Sequence, residues 1–193
     1  PGLKPGQEDG ILKGMYLLQP SAKKSKQRVQ LMGSGTILRE VIAAAELLEK
    51  DWGVAADIWS APSFTLLARE GQDAERWNML NPTAKTPRVP FVTQSLQASQ
   101  GPIIAATDYM RTYAEQIRAF MPKDRSYKVL GTDGFGRSDT RAKLREFFEV
   151  NRYFVTIAAL KSLSEAGTVE ADVVAKAIQK YAIDPNKLNP VTQ

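Results

Sequence analysis

From residue 28 onward, short β-favouring apolar runs alternate with longer stretches whose apolar residues recur every three or four positions. That alternation constrains the fold more than any other feature of the chain. Strand-like runs lie at Arg28–Met32, Val54–Ser60, Arg88–Thr93, Ile103–Ala106 and Tyr127–Leu130. After the first, Ile37, Leu38, Val41, Ile42, Ala45 and Leu48 share one helical face, and Gly53 closes the pattern. After the second, Ser63 is placed to cap a helix with Phe64, Leu67, Gly71, Ala74 and Trp77 on one side, stopped by Asn81-Pro82. After the fourth, Thr107 or Asp108 opens a helix with Tyr109, Tyr113, Ile117 and Phe120 as one stripe. Strand–helix alternation predicts an α/β three-layer sandwich. Its five-stranded mixed sheet is mainly parallel, with right-handed crossovers and helices on both faces. The connection between 88–93 and 103–106 is too short for a helical crossover, so one of the two is expected to run antiparallel.

Residues 1–27 read as a linker from a preceding domain, with one short strand within 10–19 and a break at Pro20, Ser21 and the following lysines. The start, Pro1-Gly-Leu-Lys-Pro-Gly, has no signal-peptide character, and the missing initiator Met fits a fragment or a processed chain. The domain proper is expected over 28–193. Past residue 139, Leu144, Phe147 and Phe148 mark a short helix, and Asn151 caps a longer one ended by Gly167. Thr168 opens a last helix with Val173, Val174, Ala177, Ile178 and Tyr181.

The chain has no cysteine and no histidine. Disulfides, thiolate metal sites and cysteine nucleophiles are excluded, and the commonest general base and metal ligand is missing. Net charge is +5, but Lys+Arg against Asp+Glu count 8 and 7 over 1–60, 6 and 5 over 61–120, and 12 and 9 over 121–193. A nucleic-acid binder concentrates its excess on one face, so no nucleic-acid partner is expected. No apolar run approaches the roughly 18 residues of a membrane span.

The most informative stretch is Tyr127-Lys-Val-Leu-Gly-Thr-Asp-Gly-Phe-Gly-Arg-Ser-Asp139. It reads as strand, glycine-rich bend and helix start, with Ser138 as cap and Asp139 in the first turn. A phosphate loop needs Lys-Ser/Thr after its second glycine, and the dinucleotide pattern needs G-x-G-x-x-G; neither is present. The Gly33-Ser-Gly35 turn fails in the same way, because Leu38 stands where the third glycine belongs. A rigid turn that docks on a neighbouring domain is the favoured reading. The candidate interface residues are Gly131, Asp133, Gly134, Phe135, Gly136 and Arg137, with no catalytic, cofactor-binding or metal residue assigned. Glu70, Asp73 and Glu75 lack a companion set for acid/base chemistry and read as a solvated or interface face.

Gly131-Thr-Asp-Gly-Phe-Gly-Arg-Ser-Asp-Thr-Arg141 resembles the signature near the end of the homodimeric bacterial pyruvate dehydrogenase decarboxylating components. Phe135-Gly136 with Ser138 is also similar to the Phe-Gly-x-Ser of the transketolase C-terminal domain. Ser63-Phe-Thr, Ala68-Arg-x-Gly-Gln-Asp-x-Glu-Arg-Trp-Asn-Met-Leu80, Thr86-Pro-Arg-Val-Pro90 and Thr107-Asp-Tyr-Met110 extend the first resemblance, which covers nearly all of 8–193. It implies a transketolase C-terminal-like fold in a cytoplasmic, homodimeric parent enzyme. That enzyme decarboxylates pyruvate and passes the acetyl group to lipoyl groups of an acyltransferase, using thiamine diphosphate and magnesium. The chain departs from the family in lacking a histidine within Arg145–Glu149 and in carrying Ala74 at a position where relatives are expected to have Cys. The thiamine motif, Gly-Asp-Gly followed by paired Asn, is absent: Thr132 precedes Asp133-Gly134, and no Asn-Asn pair occurs. The expected role is therefore a structural and interaction domain, inactive alone, with the cofactors and the catalytic residues in preceding domains. Its expected partners are those domains, the homodimer partner and the acyltransferase. The alternatives are the C-terminal domain of another transketolase-family enzyme, an adaptor for the acyltransferase core, or an autonomous enzyme using the Gly131–Gly136 loop.

Overall fold

Residues 4–193 are described by the structure, a computed structural model. Four strands run parallel: β2 (Arg28–Gly33), β3 (Ala55–Ser60), β4 (Ile103–Ala106) and β5 (Tyr127–Leu130). A fifth, β1 (Tyr16–Gln19), pairs antiparallel with β3, and the sheet order is β1-β3-β2-β4-β5. Side chains alternate across such a sheet, so each strand feeds both faces. Val29, Leu31, Ala56, Ile58, Ile104 and Ala106 pack on one side with α2 (Leu38–Trp52), α7 (Arg152–Glu165) and α8 (Ala171–Lys180). Met32, Trp59, Ile103, Ala105, Tyr127 and Val129 pack on the other with α3 (Phe64–Leu80), α4 (Phe91–Gln97) and α5 (Arg111–Glu115). Two further short helices are α1 (Glu8–Lys13) and α6 (Arg141–Phe147). The expected three-layer α/β sandwich with a mainly parallel five-stranded mixed sheet is the observed one. The described residues contain no helix long and apolar enough to cross a membrane.

Helix ends follow side-chain chemistry where the cap geometry allows it. Ser63 accepts from the Leu66 N–H, and Asn151 accepts from those of Tyr153 and Phe154, as expected. Elsewhere the cap is a different residue. Thr140 rather than Ser138 caps α6, and Asp139 precedes the helix, accepting from the Thr140 N–H. A 3-10 turn over Gly35–Ile37 leads into α2, and the Thr36 hydroxyl donates to Asp108. Glu170 stands at the start of α8, while the Thr168 hydroxyl and N–H both donate to Leu163 at the end of α7.

The segment 88–93 is not a strand. Pro87 and Pro90 remove two backbone donors, and Asn78 of α3 takes the Arg88 N–H and carbonyl in a reciprocal pair at 2.8 and 2.9 Å. Phe91 then opens α4 with its N–H on Glu70. The antiparallel strand comes instead from residues 16–19, inside the stretch read as a linker; residues 8–13 before it are helical. Apolar periodicity predicts that Ile37, Val41, Ile42, Tyr113, Ile117 and Val129 are buried; Ile37, Val41, Ile117 and Val129 are, Ile42 is half-buried and Tyr113 is exposed.

Candidate docking surface at the carboxyl ends of the strands

The loops following β2, β4 and β5 meet at one edge of the sheet, and the loop after β5 is fixed from both sides. Thr132 donates its N–H to the Tyr109 carbonyl at 2.9 Å and its hydroxyl to the Asp108 carbonyl at 2.8 Å. Asp133 accepts from the Arg111 N–H at 3.2 Å and from its Nε at 2.7 Å. Gly131 lies so close to the Tyr109–Arg111 backbone that a Cβ would meet Tyr109 O and Arg111 N at 2.8 Å. Gly134 has φ +103°, and a Cβ there would press on the Pro190 carbonyl at 2.5 Å, so both its conformation and its contact demand glycine.

Pinned at Thr132, Asp133 and Gly134, the loop holds Phe135 out at 77% exposure. A Cβ on Gly136 would point into open space. Arg137 folds back, its guanidinium 5.1 Å from the centre of the Phe147 ring. All six sequence-predicted residues thus stand in one short turn, with Phe135 at its tip.

The sequence reading missed that this turn has apolar neighbours. Tyr109, Met110 and Tyr113 are all more than two-fifths exposed, and the Tyr109 and Tyr113 rings lie 5.6 Å apart. Tyr109 and Tyr113 were expected in one helical stripe with Ile117 and Phe120, and Tyr113 was expected to be buried. The helix α5 starts only at Arg111 and lasts five residues, so Tyr109 and Met110 precede it, while Ile117 and Phe120 reach the core from a following 3-10 turn. The signal lay in the spacing: only 20 residues separate Ala106 from Tyr127, and Pro122 interrupts them.

Beyond this turn, Glu40 of α2 is the most deeply buried carboxylate tie near the site. It accepts from the Arg145 guanidinium at 2.9 Å, from Arg152 Nε and NH2 at 2.9 and 3.2 Å, and from the Arg152 N–H at 3.0 Å. Burial pushes its carboxyl up, but the Arg152 hydrogen bonds and the charges of Arg152 and Arg145 outweigh that and hold it below its ordinary value. This arrangement joins α2, α6 and α7 and fixes Arg145 beside the loop.

The residues present do not fit thiamine diphosphate with magnesium. Of the loop's two carboxylates, Asp133 is committed to Arg111 and Asp139 accepts from the Thr140 N–H. Among the described residues no three Asp or Glu side chains gather into a possible metal site.

Comparison with known proteins agrees with this architecture. The transketolase-like TK C-terminal domain family matches residues 14–151. Curated relatives named pyruvate dehydrogenase E1 component are 60% identical over all of this chain in Cupriavidus necator, 56% over 99% in Pseudomonas aeruginosa and 53% over 98% in Escherichia coli. The chain spans 21% of the length of each. Among solved structures, a transketolase from Pichia stipitis superposes with TM-score 0.55 at 18% identity, over 88% of this chain and 21% of that one. The transketolase from Leishmania mexicana gives 0.53 at 15% identity, over 81% and 19%. These structural matches speak for the fold, and the family match covers most of the chain. By that match and by its five-stranded mixed sheet, the chain belongs to the transketolase-like TK C-terminal domain family.

Proposed function

We propose that this chain is the C-terminal structural and interaction domain of a pyruvate dehydrogenase E1 component. In this reading the parent enzyme decarboxylates pyruvate and transfers the acetyl group to lipoyl groups of an acyltransferase. Thiamine diphosphate and magnesium are held by preceding domains, to which residues 1–27 lead. The parent is a cytoplasmic homodimer, and this domain alone is inactive. Identity of 60% over the whole chain with a relative of that name supports the assignment.

The observation that carries the interaction role is Phe135: a large apolar side chain, 77% exposed, directly after Asp133 and Gly134, which are held in place. A monomeric surface rarely spends an ordered loop on exposing an aromatic, and aromatic and Arg residues dominate interfaces. Tyr109, whose carbonyl holds the Thr132 N–H of the same loop, and Met110 are exposed as well. Phe135 and Arg137 are assigned to docking on the preceding domain or on the partner subunit. The test is to express this chain and the remainder of a relative enzyme as separate polypeptides. Co-elution on size exclusion, with recovery of pyruvate decarboxylation, is expected. Absence of association would overturn the reading.

A further inference from the structure

A cleft of about 400 Å3 opens behind the Phe135 turn, and Phe135 is not among its residues. It lies where the winding of the sheet reverses. From β2 the chain crosses to β3 on one side, and β4 then forms on the other side of β2, so the loops leaving β2 and β4 diverge. A crevice at such a point, outside the carboxyl ends of parallel strands, is where open α/β sheets bind ligands.

The two sides of the cleft differ in chemistry. Thr36, Asp108 and Thr132 stand over the strand ends; Arg137, Arg141 and Arg145 come from the loop after β5 and from α6. The Thr36 hydroxyl donates to Asp108 Oδ2 at 2.9 Å, and the Thr132 hydroxyl donates to the Asp108 carbonyl. With those protons spent, the hydroxyl oxygens and Asp108 Oδ1 are left as acceptors, which suits hydroxyl donors on a ligand. Among the described residues Arg141 has no hydrogen-bond or ion-pair partner, Arg137 has only the Phe147 ring, and Arg145 is steadied by buried Glu40. Arg137 and Arg141 are opposed only by Asp108, while Glu40 offsets Arg145, so the cleft keeps a net positive charge. Guanidinium is the side chain whose planar fork matches phosphate oxygens.

We propose that this cleft binds a phosphomonoester carrying a vicinal diol. The phosphate faces Arg137, Arg141 and Arg145, and the diol donates to Asp108. The proposal shares Arg137 with the docking role and is told apart from it by Phe135, which takes no part in the cleft.

Calorimetric titration of the 193-residue chain tests it with three probes: sn-glycerol 3-phosphate, inorganic phosphate and glycerol. Saturable binding of glycerol 3-phosphate with Kd below about 1 mM is expected, with inorganic phosphate about tenfold weaker and no heat from glycerol. Arg141→Gln removes one charge-assisted contact and should weaken both anions about tenfold while the melting temperature stays put. Asp108→Asn should reduce glycerol 3-phosphate to the affinity of phosphate. Phe135→Ala should change none of these values, which separates this site from docking. No saturable heat with glycerol 3-phosphate, equal affinity for it and for inorganic phosphate, or an unchanged affinity in Arg141→Gln would each overturn the proposal.

Discussion

Glu40 accepts both the main-chain N–H and the guanidinium of Arg152, the first residue of α7, so one carboxylate caps and anchors the helix at once. Breaking a wholly buried ion pair typically costs about 3–5 kcal/mol because a charge is stranded. Here the Arg152 side chain keeps 43% exposure, so water takes over part of its solvation. Glu40→Gln is therefore expected to cost about 2 kcal/mol at pH 7, seen as a lower urea midpoint with unchanged slope.

The same pair sets a pH dependence. The folded-state carboxyl of Glu40 lies below its ordinary 4.5. Its stabilising contribution is thus fully present above pH 4.5 and is lost as the pH falls through the lowered folded value. The gap in stability between wild type and Glu40→Gln should hold steady from pH 7 to about 5 and shrink below 4. A gap that widened on acidification would contradict the assignment.

Gly101 sits at the entry to β4 with φ +82°, and a Cβ on it would overlap the carbonyl oxygen of Arg28 at the start of β2. Arg125 donates to the Gly101 carbonyl and fixes it from the other side. Neither group can yield without parting β2 from β4, at the centre of the sheet. Gly101→Ala should cost about 4 kcal/mol or more, beyond the ordinary range for a surface residue. A thermal midpoint close to wild type would show that this backbone contact is looser than described.

The parallel strands and their helices were legible because period-2 and period-3.6 patterns are local, and each was bounded by Gly, Pro or a capping side chain. Ser63, Asn151 and Gly53 did at the sequence level what they do in the fold. The segment 88–93 misled because Val89, Phe91 and Val92 look strand-like, whereas its backbone is satisfied by Asn78, a partner ten residues away that no pattern marks. β1 was seen as a short strand, but its place at the sheet edge depends on pairing with Trp59 and Ser60, more than 40 residues on. At the candidate site, glycine spacing disclosed the turn and the exposed Phe135. The Arg111–Asp133 tie, the Glu40 anchor and the outward Tyr109 depend on loops from separate strands meeting, which sequence spacing alone does not encode.

Thiamine diphosphate and magnesium are expected not to bind this chain alone. Asp133 already gives its carboxylate to Arg111, and Thr132 spends its hydroxyl on Asp108. Titration calorimetry with both should show no saturable heat. A micromolar Kd, about −8 kcal/mol of binding free energy, would contradict the placement of the cofactor in preceding domains.

Phe135→Ala separates the two places where this side chain could act. If it were core, truncation would cost about 3–5 kcal/mol in this chain as well as in the parent enzyme. At 77% exposure, on a loop held by Thr132, Asp133 and Gly134, it has little to lose in the isolated chain. A change within about 0.5 kcal/mol is expected there from denaturant melts. The parent enzyme should respond differently. An aromatic anchor at the centre of an interface is worth about 2 kcal/mol or more, so the same substitution should raise the dissociation constant for dimerisation or domain association about thirtyfold. Sedimentation of the mutant parent across a concentration series reads that shift. Tyr109→Ala, on the adjacent apolar area, should act in the same direction and less than additively with Phe135→Ala if both cover one contact. Unchanged association in the parent, or a large loss of stability in the isolated chain, would remove Phe135 from the interface.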